Sequence, residues 1–441
     1  MDKVFRDWNF EQATMFPATI QDFVPPGHLA TFVRNLVVEQ LDLTPILNKY
    51  REKRGCPPYH PAMLTALLLY AYTQNIYSSR RIAAACTQRV DFMAVTGKQQ
   101  PDFRTISDFR KRHLKPLGKL FQQVLRLCQQ AGMVKLSHVS LDGTRVAANA
   151  AKDQTLKYGR MKRTAEELQK EVEEWLNKAN KLDEAEDELY GADRSGDELP
   201  DWVADKQKRL EKLRQAQKEL ETEAQAEAEK EKQQEEQKEP QSRKRTATGE
   251  TPEEDAKRNL SDADSRLMRT SHGFIQGYNA QLAVDADSQV IVAQMVSSDS
   301  SDCRQMAQML EQIQSNTGDA IQEISADSGY YSEQNVELLE QEGIRGYIGC
   351  GRRDKDGTWH GDAGPNGKRM RSRINRGGKR SRYRLRKQTV EPVFGIIKSA
   401  RGFRQFLMRG ISKVSEEWSL IATAHNILKL AAQVKMAAVA G

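Results

Sequence analysis

Residues 138–146 read HVSLDGTRV, and the apolar, β-branched start of that run predicts a buried strand whose end delivers Asp142. A second run, EISADSGYYS at 323–332, has the same character and predicts another strand, ending at Asp327. A third acid, Glu391, lies in VEPVFGIIKSARGFRQF (390–406), where the apolar spacing is helical. Carboxylates that converge from strand ends can hold divalent ions against a phosphodiester. The chain has 61 Asp/Glu, however, so a suggestive triple also arises by chance, and a structural Asp at a strand end is common.

Around these acids the order of elements predicts an α/β class with one mixed sheet and flanking helices. Leu136–Ala148 is a first strand, yet its natural partner, GYNAQLAVDADSQVIVAQMVSS, begins only at Gly277 and predicts two strands turning at Asp287–Ser288. CRQMAQMLEQIQSN (303–316) predicts a helix, EQNVELLEQEG (333–343) a short one stopped by Gly343, and IRGYIGC (344–350) a further strand. Gly351–Arg382 is expected to be a long basic loop, with a helix resuming near Arg384 and carrying Glu391. The apolar run at 416–438 should be a helix packed on the core.

Residues 1–135 read as a separate helical domain, a candidate for DNA binding. HPAMLTALLLYAYTQNIYSSRRIAAAC (60–86) begins with a helix that is apolar on nearly all sides, opened by His60 and Pro61. A second helix is expected through Ser79–Ala94. PDFRTISDFRKRH (101–113) starts a third, capped by Thr105 or Ser107. Arg80, Arg81, Arg110, Lys111 and Arg112 either grip phosphates or form ordinary bundle surface. The catalytic domain is then 136–159 joined to 260–435.

Between these two pieces, 160–259 is compositionally foreign, with 25 Asp/Glu against 15 Lys/Arg from Met161 to Pro240. Leu168, Val172, Trp175, Ala179 and Leu182 form a four-three seam, repeated less regularly by Val203, Leu210, Leu213 and Leu220. Gly191, Gly196 and Pro200 interrupt it, so a coiled-coil-like helical hairpin is predicted. The polar stretch at 230–255 lacks an apolar face and is expected to be a disordered tail.

The net charge of +7 is unevenly placed: Arg352–Arg404 holds 17 Lys/Arg against 4 Asp/Glu, a local +13 that leaves −6 for the rest. A polyanion partner is the natural inference, a solvated basic loop the bland one. Arg401, Arg404 and Arg409 flank apolar residues that would dock the segment, which suits phosphate contacts. Tyr330 and Tyr331 could stack on a displaced base or simply pack. His272 and His425 are not needed by the chemistry, and His425 reads as a hydrogen-bonded core residue. Five cysteines without a CxxC pair, and no signal-like apolar run at the N-terminus, suit a reducing bacterial cytoplasm and a place at the nucleoid.

Taken in order, YSSRRIAAAC, PDFRTISDFRKRH, SLDGTRVAANA, GFIQGYNAQLAVD, ADSGYYSEQN and RKQTVEPVFGIIKSARGFRQFLMRG resemble the boxes of DDE transposases of bacterial insertion sequences. The likeness is nearest to the group numbered eleven-eighty-two within the four/five-like assemblage, and covers most of the chain outside 160–260. It implies a ribonuclease-H-like catalytic fold with Asp142, Asp327 and Glu391 as the catalytic and metal-binding triad, holding two Mg²⁺ for which Mn²⁺ can substitute. By the same analogy Lys398 contacts a transposon-end phosphate. The family's upstream Tyr and Arg fall on Arg384 and Lys387, whereas Tyr383 and Arg386 preserve the residue types one step earlier. The expected activity is cleavage at terminal inverted repeats and strand transfer into target DNA by a dimer or higher assembly. A nuclease of the same fold without strand transfer, or an inactive DNA-binding derivative, are the rival readings.

Overall fold

The computed structural model describes residues 19–50, 57–190, 201–236, 251–270, 273–353, 359–360 and 364–440. Cys56, the interruptions at Gly191, Gly196 and Pro200, residues 237–250 of the expected tail, and His272 lie outside the described residues. The N-terminal helices are α1 (Leu29–Asn35), α2 (Thr44–Leu47), α3 (Pro61–Thr73), α4 (Ser79–Gln88), α5 (Val90–Thr96), α6 (Phe103–Arg112) and α7 (Leu114–Gln130). Eleven of the thirteen residues of α3 are buried, as its all-round apolar sequence requires. The His60 ring accepts from the Ala62 amide and Pro61 occupies the first turn.

Two local expectations are corrected. The single helix through Ser79–Ala94 is two helices, because Arg89 is extended at φ −120° and ψ 123° while pairing with Asp91 at 2.5 Å. The cap of α6 is Asp102 rather than Thr105 or Ser107: its carboxylate accepts from the Arg104 and Thr105 amides at 2.6 and 3.0 Å.

Strand β1 (Val139–Ala147) follows, then β2 (Thr155–Lys157), helices α8 (Tyr158–Tyr190) and α9 (Asp201–Glu236), and β3 (Lys257–Asn259). The two long helices are antiparallel: Lys206 meets Glu171, Arg214 meets Gln169, and the Trp175 and Trp202 rings stand edge to face at 6.0 Å. Val172, Val203, Leu210, Leu213 and Leu220 of the predicted seam are buried. The base of this hairpin is closed by the antiparallel pair β2–β3.

Next come β4 (Arg266–Thr270), β5 (Gly273–Asp285), β6 (Ile291–Ser297), α10 (Met306–Thr317), β7 (Glu323–Ala326), α11 (Glu333–Gln341) and β8 (Arg345–Ile348). These strands form with β1 a six-stranded mixed sheet, in the order β4-β5-β1-β7-β8 with β6 on β5. The β1–β5 and β5–β6 pairs are antiparallel, and β1–β7 and β7–β8 are parallel. The expected basic loop at 351–382 contains a helix, α12 (Pro365–Arg376), because Met370 and Ile374 lie one turn apart and are buried with Val336 and Tyr347. A 3₁₀ segment, Arg382–Lys387, precedes α13 (Val390–Gly395), a π-helical turn Ile396–Ala400 and the final helix α14 (Ile411–Ala440).

Trp418, Ile421, Ile427 and other apolar residues of α14 pack against α3, α7 and β6, so the N-terminal helices and the sheet share one continuous core. The hairpin has its own small core around Met161, Leu210 and Leu213. Among the described residues no helix is long and apolar enough to cross a membrane.

Candidate active site

Asp142 lies within β1 rather than at its end, since β5 pairs with β1 as far as Ala147. On the other side, parallel pairing with β7 stops at Leu141 opposite Ala326. The next residues on the two strands are Asp142 and Asp327, so adjacent parallel strands bring the two acids to the same level. Each carboxylate accepts one backbone N–H, from Gly143 and from Gly329, both at 2.8 Å. Among the described residues neither acid has a cation within ion-pair distance.

Burial raises the Asp142 carboxyl to about 7, the negative charge of Asp327 adds to the effect, and Arg386 opposes it. Burial likewise raises Asp327 above the usual carboxylate range. Glu391 stands in the first turn of α13, 41% exposed, and pairs with Arg386 at 3.4 Å. Its charge also reaches Asp142, so the three acids share one electrostatic neighbourhood.

Arg386 lies over the Tyr383 ring at 5.1 Å, and its Nε has no partner. Tyr383 and Arg386 therefore face the acids, while Arg384 and Lys387 are exposed. Lys398 is carried by the π-helical turn; its Nζ donates to Thr144 Oγ1 at 3.0 Å and to the Arg145 carbonyl at 2.9 Å, which places the ammonium on β1 just past Asp142.

Two expected DNA contacts, Tyr330 and Arg401, are corrected. Tyr330 is fully buried and its hydroxyl donates to Gln281, so it has no face free for a base. Tyr331 is half-buried and its hydroxyl donates to Glu333. Arg401 is 8% exposed inside the core, where its carbonyl accepts from the Tyr77 hydroxyl. Arg110 is buried too, donating to Tyr72, the Tyr77 carbonyl and Ser79, whereas Arg80, Arg81, Lys111 and Arg112 remain exposed. Arg404 and Arg409 are exposed and fixed through their Nε atoms to the carbonyls of Lys398 and Asn149. His425 is a core residue held to the Gln289 carbonyl, and burial lowers it to about 3.

Sequence reasoning missed a polar cluster beside the two aspartates. Asp302 accepts from Asn279 at 2.6 Å, Gln281 at 2.8 Å and Arg145 at 3.1 Å. The signal that could have found it is the glycine after each acid, in DG and DSG.

Among the described residues, no group of three or more His, Cys, Asp or Glu side chains is gathered closely enough to hold an ion as it stands. The donor chemistry nonetheless fits a hard cation. Two half-buried carboxylates lie side by side, burial raises both and the charge of Asp327 adds to the rise at Asp142. Among the described residues each has one oxygen without a protein donor, and the third acid is held off by an arginine.

Residues 250–427, which include Asp327 and Glu391 and begin beyond Asp142, match a family described as Transposase DDE domain. Residues 18–112 match one described as Transposase domain (DUF772). No curated protein and no solved structure matches the chain.

Proposed function

The chain is a DDE-type transposase of an insertion sequence, and from that premise we propose that Asp142, Asp327 and Glu391 are the acids that cut its transposon ends and join them to target DNA. The observation that carries this reading is the register: two aspartates at one level on adjacent parallel strands, with Glu391 electrostatically coupled to them. The mixed sheet with its central parallel pairs is read as ribonuclease-H-like.

In this mechanism Asp142, Asp327 and Glu391 hold two Mg²⁺ (Mn²⁺ substitutes), which when bound activate the attacking oxygen and stabilise the leaving one. Asp142 must lose its proton for this role, so its raised pKa is set against ion loading. Arg386 holds Glu391 at 3.4 Å in the meantime. Lys398, anchored on β1, fixes the phosphate nearest Asp142. Arg404 and Arg409, with the exposed basic face of α12 and the exposed Arg80, Arg81, Lys111 and Arg112 of α4 and α6, supply backbone contacts that position the duplex without reading its sequence. Joining requires two ends together, so a dimer or larger assembly on the terminal inverted repeats is expected.

The test is Asp327→Asn, assayed on DNA carrying the element's own ends. Mg²⁺-dependent cleavage should fall at least 10³-fold, about 4 kcal/mol of transition-state stabilisation, while end binding stays within about twofold. Retained cleavage would remove the triad. Precleaved ends bearing a free 3′-hydroxyl should be joined to a target plasmid by the unaltered protein; cleavage without joining would make it a nuclease of the same fold.

A further inference from the structure

We propose that Asp302 is a positioning residue of this reaction, setting the separation of Asp142 and Asp327 without itself holding an ion. The inference rests on the reading of those two aspartates as the ion-holding acids.

Asp302 is 8% exposed, and both carboxylate oxygens are already taken. Oδ1 accepts from Asn279 and Gln281 of β5, and Oδ2 from Arg145, three residues beyond Asp142 on β1. Arg145 reaches on to the Ser300 carbonyl at 2.5 Å, tying β1 to the segment that carries Asp302. Three protein donors, one of them the Arg145 guanidinium, engage both oxygens and take three of the carboxylate's roughly four acceptor positions, so Asp302 is committed to the protein rather than presented to an ion. Gln281 passes the constraint onward: its amide nitrogen donates to Asp302 and its oxygen accepts from the Tyr330 hydroxyl, in the turn that Asp327 caps.

The space Asp302 occupies is made by two glycines. A Cβ on Gly143 would stand 2.7 Å from Asp302 Oδ1 and 2.4 Å from Gln281 Nε2. A Cβ on Gly329 would stand 3.1 Å from Asp302 Oδ2 and 3.0 Å from Asp327 Oδ1. The same two glycines donate their amides to Asp142 and Asp327. Each acid is thus held by a glycine N–H on one side, and that glycine is packed against Asp302 on the other. One buried carboxylate therefore gauges both acids at once. Groups that hold metal-ligating side chains in place typically matter by about 10–100-fold in ion affinity or activity.

The experiment uses the full chain bound to end DNA, with Mn²⁺ binding followed by electron paramagnetic resonance. Asp302→Asn should weaken Mn²⁺ binding at least about tenfold, with a melting temperature and end affinity close to those of the unaltered protein. Mn²⁺ affinity within twofold of the unaltered protein would overturn the proposal, as would a loss confined to melting temperature. Asp327→Asn is the control: if it binds Mn²⁺ normally, the reading of the acids fails, whatever Asp302 does. Should Asp302→Asn lose its cooperative melt, Arg145→Met is read in its place. The same tenfold weakening is expected there, and unchanged Mn²⁺ binding sinks the proposal.

Discussion

At the scale of single residues, Asp142 is where function works against stability. Its carboxyl ordinarily titrates at 3.8 and is raised to about 7 by burial and by Asp327. Between those two values the folded chain binds the proton more tightly than the unfolded chain, so this group makes stability fall as pH rises through the window. Asp142→Asn removes the titration and keeps an oxygen for the Gly143 amide. Without divalent ions the variant should be more stable than the unaltered protein at pH 8, by about 2 kcal/mol, roughly half of what three pKa units are worth. The gap should close toward pH 4; equal melting temperatures at pH 8 would contradict it. The placement of Asp142 and Asp327 beside each other on the sheet was legible because each follows an apolar β-branched run. The inward placement of Tyr383 and Arg386 was not, because the register of the resembling family falls on Arg384 and Lys387, and only the 3₁₀ geometry of Arg382–Lys387 turns the earlier pair inward. Asp302 was invisible for another reason: it sits in a polar connection, and its partners come from β1 and β5, over twenty residues away.

Among the elements, the run Phe403–Met408 shows how an irregular segment is held to a regular one. The Ala147 amide donates to the Arg404 carbonyl, and the Phe406 amide to the Ala147 carbonyl, so the run continues alongside the end of β1. It is pinned from α14 by Glu417, whose buried carboxylate accepts from the Leu407 and Met408 amides. Glu417→Ala would strand two backbone donors in the core, and a loss of about 2–4 kcal/mol in denaturant melts is expected. A cost below 1 kcal/mol would show that water replaces the carboxylate. Sequence periodicity found β1, β5, β6, β7, β8 and α14, because their apolar faces are dense. It missed α12, whose two core anchors, Met370 and Ile374, are diluted by arginines, and it merged α4 with α5, because extended Arg89 carries no Gly or Pro signal. The exposed arginines of α12 gave the right charge and the wrong conformation.

For the molecule as a whole, the question is whether the hairpin of α8 and α9 belongs to the catalytic body or is mounted on it. Two observations favour mounting. Its apolar residues form a cluster separate from the continuous core. Its entry and exit are also already joined: β2 pairs with β3, Leu156 opposite Arg258, and the Tyr158 amide donates to the Ala256 carbonyl at 2.8 Å. A short Gly/Ser link from Tyr158 to Ala256 therefore spans a closed base and adds little loop-closure entropy. The body does lose contacts. Arg258 pairs with Glu219 and Glu223 of α9, and Arg266 with Glu223. Removing the hairpin exposes Arg258 to water as it loses these partners, so its charge is hydrated rather than left buried and unpaired. The shortened chain should melt cooperatively within about 2 °C of the full chain, a change worth about 1 kcal/mol. It should retain Mg²⁺-dependent cleavage of single ends. If the hairpin's seam serves to bring two ends together, the same chain should fail to form paired-end complexes in a gel-shift assay. Loss of single-end cleavage together with the cooperative melt would instead make the hairpin part of the catalytic body.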